Sequence, residues 1–194
     1  MRVAVTRDDV AARVGALGHD AVLCDLIRVE PLGDDPIDAS GYDWLVVTSA
    51  NGAHELGRRG VTAKRIAAIG PATAAALREH GLPVDLVART HTQEGLRDEL
   101  NGRLLLAAAE GARRDVLDAD FVPLYRTIEQ PQEVQADVAL LMSGSAARAL
   151  QTRMRVVAIG PQTADEARAA GHDVVAVARE HTVDGLLEAL ASLL

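Results

Sequence analysis

Short aliphatic runs alternate along the chain with alanine-rich stretches whose apolar positions recur at helical spacing. The runs are Val3–Thr6, Ala21–Val29, Trp44–Thr48, Ile66–Ile69, Val84–Val87, Leu104–Ala107, Val122–Arg126, Val138–Met142, Val156–Ile159 and Val174–Val177. Several are apolar at consecutive positions, as expected of strands covered on both faces. Helical segments fall between most of them. Those over Ala72–His80 and Thr163–Ala170 stop at Gly81 and Gly171, in the manner of helix C-caps. Strand-helix alternation of this kind predicts an α/β fold with parallel sheets between helical layers.

The pattern is also duplicated. AIGPATAAALREHG (Ala68–Gly81) recurs as AIGPQTADEARAAG (Ala158–Gly171), and Arg65–Leu100 aligns with Arg155–Leu190 without a gap. Upstream, DWLVVTSANGAHEL (Asp43–Leu56) resembles DVALLMSGSAARAL (Asp137–Leu150), and RVAV at Arg2 more weakly resembles RLLL at Arg103. Repeats this long indicate duplicated domains, not a solenoid. Two pairings are open. The domains are either tandem, split near Asn101, or interleaved, with the middle of the chain forming one and the two ends the other. The runs AVLCDLIRVEP (Ala21–Pro31) and FVPLYRTIEQP (Phe121–Pro131) favour interleaving. Each is long for one strand of a small sheet, turns polar in its second half and ends at proline, as a crossing between domains would.

Composition narrows the function classes. Of 194 residues, 48% are hydrophobic but only 2% aromatic, so the core is built from Ala, Val, Leu and Ile. Few aromatics also means few stacking platforms for single-stranded nucleic acid. The net charge of −8 argues against a basic face for DNA or RNA. Cys24 is the only cysteine, which excludes an intrachain disulfide and a thiolate metal cluster. The segment MRVAVTRDDV enters a strand pattern without a signal-like apolar stretch, and no apolar run reaches the length of a membrane span. The expectation is a cytoplasmic protein with no metal, no nucleic-acid partner and no membrane contact.

Parallel sheets bind ligands beyond the carboxyl ends of their strands, where helices begin. Free N–H groups and the helix dipole make those starts suited to anions. An acid already in the first turn would oppose one. Four starts lack such an acid: Thr48-Ser49-Ala50-Asn51, Gly70-Pro71-Ala72-Thr73, Ser143-Gly144-Ser145-Ala146 and Gly160-Pro161-Gln162-Thr163. Two others carry one, Thr92-Gln93-Glu94 and Thr182-Val183-Asp184, and read as plain N-caps; Asp8 and Asp9 likewise occupy the first helix start. A hydroxyl at any single helix start also serves for capping alone. The argument for anion binding is that four such turns are paired across two domains. No P-loop and no G-x-G-x-x-G after a strand is present, so a nucleotide is unsupported. His91 and His181 fall at matching positions beside helix starts but read singly as surface or capping residues. His19, His54, His80 and His172 read as solvent-side or helix-end residues. Tyr125 lies in the second long run, where a cleft between domains would be lined.

Together these segments resemble the uroporphyrinogen-III synthase family. The resemblance rests on VAVTR (Val3–Arg7), YDWLVVTSANGAHEL, AAIGPATAAALREHG, THTQEGL, PLYRT (Pro123–Thr127), LLMSGSAARAL, VVAIGPQTADEARAAG and HTVDGLLEAL, in the family's order across nearly the whole chain. It implies two similar flavodoxin-like three-layer domains with parallel sheets, interleaved and joined by a two-stranded linker: residues 1–29 with 128–194, and 30–127. It implies a lyase of heme and tetrapyrrole biosynthesis that needs no cofactor. Such an enzyme cyclises hydroxymethylbilane to uroporphyrinogen III, with loss of water and inversion of ring D, in the cleft between the domains. The substrate carries eight carboxylates. Carried over by motif, Tyr125 is the proton donor to the departing hydroxyl. The substrate-binding set is Arg7, Thr48, Ser49, Ala50, Asn51, Gly70, Pro71, Ala72, Thr73, Ser143, Gly144, Ser145, Gly160, Pro161, Gln162 and Thr163. The resemblance implies a monomer with a tetrapyrrole substrate and transient contact with porphobilinogen deaminase. Departures from the pattern are a shortened Leu104–Thr127 segment, predicting a stunted helix and a smaller or looser second domain, and Met142 and Gly144 where the family favours other residues. The rival reading is a non-catalytic two-domain binding protein for a polyanionic small molecule. A periplasmic-type sugar-binding module is disfavoured by the scarce aromatics and the absent signal pattern.

Overall fold

The computed structural model describes residues 1–193. In chain order its elements begin β1 (Arg2–Val5), α1 (Asp8–Ala16), β2 (Asp20–Leu23), β3 (Ile27–Pro31), β4 (Ile37–Ala39), β5 (Trp44–Val47), α2 (Ala50–Arg59), β6 (Val61–Ala63), β7 (Ile66–Ala68) and α3 (Pro71–Glu79). They continue with β8 (Leu86–Val87), α4 (Gln93–Glu99), β9 (Leu104–Ala109), β10 (Ala119–Glu129), β11 (Val138–Leu141), α5 (Gly144–Ala149), β12 (Arg155–Ala158), α6 (Pro161–Ala169), β13 (Asp173–Val177) and α7 (Val183–Ala191). The chain separates into two compact units: Met1–Arg28 with Ile128–Leu194, and Val29–Thr127.

The first unit is a five-stranded sheet in the order β13-β12-β11-β1-β2, with every neighbouring pair parallel. Alternation along the strands sends Val3, Val5, Val138 and Leu140 to one face, where Val10 and Val14 of α1 and Leu186 and Leu190 of α7 cover them. Ala4, Ala139 and Leu141 face the other way, against Ala146 and Ala147 of α5 and Ala167 of α6. Alanines here let both short helices lie close to the sheet.

The second unit repeats the arrangement. Its strands run β10-β9-β5-β7-β8, all parallel, with β3 added beyond β10. Leu45 and Val47 pack with Leu56 of α2 and Leu77 of α3, while Trp44 and Val46 pack with Leu96 of α4. The first unit has the 2-1-3-4-5 strand order of doubly wound sheets. The second has the same layout circularly permuted, with β10, β9, β5, β7 and β8 standing where β2, β1, β11, β12 and β13 stand, and so reads 5-4-1-2-3 in chain order. The duplication in sequence is a duplication of this layout.

The structure departs from the sequence-based expectation in four places. The run Ala21–Val29 breaks between Leu23 and Ile27 into β2 and β3, whereas β10 continues through Glu129. A small parallel sheet of β4 and β6 was not expected, since both strands are three residues long with an exposed centre. The strand over Val84–Val87 shrinks to the two residues of β8. The stunted helix expected before Tyr125 is absent, and Glu110–Asp118 is irregular. Leu117 is the one residue of that segment in the core, so no apolar stripe exists for a helix to bury.

Candidate functional site

Most of the parallel strands deliver the chain to a helix start, and the starts differ in what caps them. α3 and α6 follow β7 and β12. Gly70 and Gly160 occupy their N-caps, in extended conformation and with no side chain to accept a hydrogen bond. Proline at the first helical position contributes no N–H. The first main-chain bonds come from Ala74 to Gly70 and from Ala164 to Gly160, each 3.0 Å. That leaves the N–H groups of Ala72 and Thr73, and of Gln162 and Thr163, unused at the positive ends of their helices. Two adjacent free donors match the two oxygens of one carboxylate.

A ring stands beside each of these starts. A Cβ on Gly70 would lie 3.3 Å from His91 Cγ, and one on Gly160 3.1 Å from His181 Cδ2. A side chain at either glycine would crowd the imidazole by a few tenths of an ångström. His91 and His181, read from sequence as surface or capping residues, are thus the same structural feature in both units. They are exposed, and each flanks an uncapped start.

The α2 start is different. Ser49 caps it, its Oγ accepting from Gly52 N–H at 3.0 Å. The same oxygen lies 2.9 Å from the Tyr125 hydroxyl. Tyr125, on β10, is 5% exposed and packs on the α2–α3 face of the sheet. Burial raises its pKa, while hydrogen bonds from Ser49 and Asn51 act in the opposite sense. This start holds a phenol, not an open anion site. Thr48 and Ala50 flank Ser49, both half-buried.

The α5 start is also self-capped, Ser143 Oγ accepting from Ala146 N–H at 3.2 Å. It is not free of acid in space. A Cβ on Gly144 would lie 2.7 Å from Glu166 Cγ, so α6 brings a carboxylate to a turn that has none in sequence. Arg148 neutralises it, pairing Glu166 at 2.8 Å and Glu129 at 2.7 Å, and reaches Ser145 Oγ at 3.3 Å. The helix is six residues long, with a correspondingly small dipole. Of the four acid-free turns, two keep open donors, one holds Tyr125 and one is already furnished with an ion pair.

Arg7 is the N-cap residue of α1, and its guanidinium is turned back onto Asp9 at 2.6 and 2.8 Å. That half-exposed pair holds the guanidinium within its own turn, while the parallel register of β1 on β11 brings the chain at Arg7 alongside the strand end that leads into Ser143. Thr92 and Thr182 cap α4 and α7 through Gly95 and Gly185, each 3.1 Å, with Glu94 and Asp184 behind them. Among the described residues, no three His, Cys, Asp or Glu side chains come together as a metal site. No described helix is long and apolar enough to cross a membrane.

Residues 8–188 match the family model described as uroporphyrinogen-III synthase HemD. A protein of Archaeoglobus fulgidus that carries the provisional name uroporphyrinogen-III synthase is 30% identical over 223 residues, spanning 99% of this chain and 96% of its own. Among solved structures, a mutant uroporphyrinogen III synthase from the extremely thermophilic bacterium Thermus thermophilus superposes with a TM-score of 0.64, over 99% of this chain and 98% of the other. Sequence identity there is 17%, so the likeness is one of fold.

Proposed function

The chain belongs to the uroporphyrinogen-III synthase family, and from that premise we propose that its helix starts divide the work of the reaction between carboxylate binding and proton delivery. The reaction closes linear hydroxymethylbilane to uroporphyrinogen III, with loss of water and inversion of ring D. The observation that carries the division is the matched pair of uncapped starts at Gly70-Pro71-Ala72-Thr73 and Gly160-Pro161-Gln162-Thr163. Each offers two main-chain donors to one carboxylate of the substrate. The protein's chief contribution is then geometric. Holding the acidic side chains fixes which carbon of the last ring attacks and withholds the unguided closure that leaves the ring unturned. Tyr125 supplies the proton on which the hydroxyl departs as water. Thr48, Ala50 and Asn51 line the turn around it.

With the family comes the reading of a monomer that takes its substrate through transient contact with porphobilinogen deaminase. The test is a coupled assay in which that deaminase generates hydroxymethylbilane and the oxidised products are separated by isomer. The type III isomer should dominate when this chain is present. Type I alone, at any amount of the chain, would reduce the protein to a polyanion binder.

A further inference from the structure

The two units share a sheet layout but not the group that gives up a proton. Two main-chain bonds fix the correspondence. In the second unit Leu32 N–H donates to Leu124 O, and in the first Gln130 N–H donates to Leu26 O, both at 2.9 Å. Leu26 and Leu124 are both fully buried. They are counterparts, and the residue that follows is Ile27 in one unit and Tyr125 in the other. Ile27 packs against the alanine-lined face beside α5 and has no proton to give. The helix starts have diverged in parallel. Ser49 and Ser143 both cap their helices, but only Ser49 meets a phenol.

We infer that Ser49 is a positioning residue for Tyr125, fixing its hydroxyl before proton transfer and holding the phenolate after it. The inference rests on the reading of Tyr125 as the acid. Ser49 Oγ has one hydrogen and two lone pairs. Gly52 N–H occupies one lone pair, which sets the rotamer. The Tyr125 proton must point at the departing hydroxyl, so the bond between the two side chains runs from Ser49 O–H to Tyr125 Oη. On transfer the Tyr125 O–H bond breaks, its proton joins the hydroxyl leaving as water, and the charge stays on Oη. The bond from Ser49 then becomes charge-assisted and shortens, and the α2 N-terminus lies on the side that favours the anion. Ring closure releases one proton from the attacking pyrrole carbon, which balances the proton spent and restores the phenol. Ser49 therefore acts more strongly after transfer than before it, as a group that speeds the step must.

The experiment compares Ser49→Ala, Ser49→Thr, Tyr125→Phe and the double variant Ser49→Ala/Tyr125→Phe. Thr92→Ala serves as a matched loss of a helix cap in the same unit. Loss of a cap alone should lower Tm by about 2–4 °C, in both Ser49→Ala and Thr92→Ala. Only Ser49→Ala should also lower kcat, by about tenfold, with KM changed less than about threefold. Ser49→Thr should restore most of the rate. In the Tyr125→Phe background, Ser49→Ala should cost no further rate. If Ser49→Ala keeps the parent kcat, or slows Tyr125→Phe as much as it slows the parent, Ser49 is a helix cap only and the inference is overturned while Tyr125 stands. If Tyr125→Phe itself keeps the parent kcat, the reading of Tyr125 falls and takes the inference with it.

Discussion

Placing an acid at an uncapped helix start should damage binding without damaging the fold, and the pair Ala72→Asp and Gln162→Asp does this in both units. Each position is the second of its helix, exposed, and carries one of the two free N–H groups. A carboxylate there stands roughly 4 Å from a carboxylate held by the same turn. The repulsion between them is about 1 kcal/mol in water and about 4 kcal/mol at the effective dielectric near a protein surface. Exposure favours the lower part of that range. The new side chain also satisfies the helix end itself, removing about 0.3–1 kcal/mol of attraction for the ligand. Together these give about 2 kcal/mol, or roughly a thirtyfold rise in KM. Folding should hold or improve, since an acid in the first turn contributes about 0.3–1 kcal/mol. Ala72→Asn and Gln162→Asn supply nearly the same shape without charge and should stay within about threefold of the parent. The measurement is KM in the coupled assay beside Tm, at low and high salt, with the Asp–Asn difference shrinking as salt screens it. If the Asp and Asn variants share one KM, the carboxylates are bound elsewhere. Gly144→Asp is not an equivalent probe, because its Cβ would meet Glu166 Cγ at 2.7 Å and disturb the pair with Arg148.

Exhaustive treatment with chelator should leave turnover unchanged, and restoration of a lost rate by one added metal would contradict this. Burial, and after it the nearby Asp25 charge, pushes the Cys24 thiol up to about 11. A thiol reagent at pH 8 should therefore label the unfolded chain quickly and the folded chain hardly at all. Because the unfolded thiol ionises first, the stability owed to this group is whole below the unfolded pKa and is lost as pH climbs toward about 11. Tm should accordingly fall more steeply over that interval in the parent than in Cys24→Ala, and parallel curves would show that the thiol is not held protonated.

The layered architecture was legible because its signals are local. Aliphatic runs and Gly-stopped helices declare themselves within about ten residues, and the duplication declares itself by alignment. The uncapped starts were legible for the same reason, since Gly-Pro before a helix states that neither a side chain nor the first N–H is available. What stayed hidden depends on residues far apart in sequence. The bond between Ser49 and Tyr125 spans 76 positions. Glu166 reaches the α5 start from another helix, and a turn counted as free of acid proves to carry one. The pairing of Arg7 with Asp9, only two residues on, is a rotamer choice that sequence does not reveal either. His91 and His181 gave a signal, their matching positions in the repeat. Its meaning appears only when each ring is found against the glycine of an uncapped start.

The central claim is that main-chain N–H groups at the α3 and α6 starts hold the carboxylates of the tetrapyrrole. Amide NMR of the 15N-labelled chain, titrated with uroporphyrinogen III under reducing conditions, tests it directly. The amides of Ala72, Thr73, Gln162 and Thr163 should move downfield together and saturate with one binding curve, while those of the acid-bearing starts at Glu94 and Asp184 stay nearly still. Saturable binding that leaves all four of those amides unmoved would contradict the account.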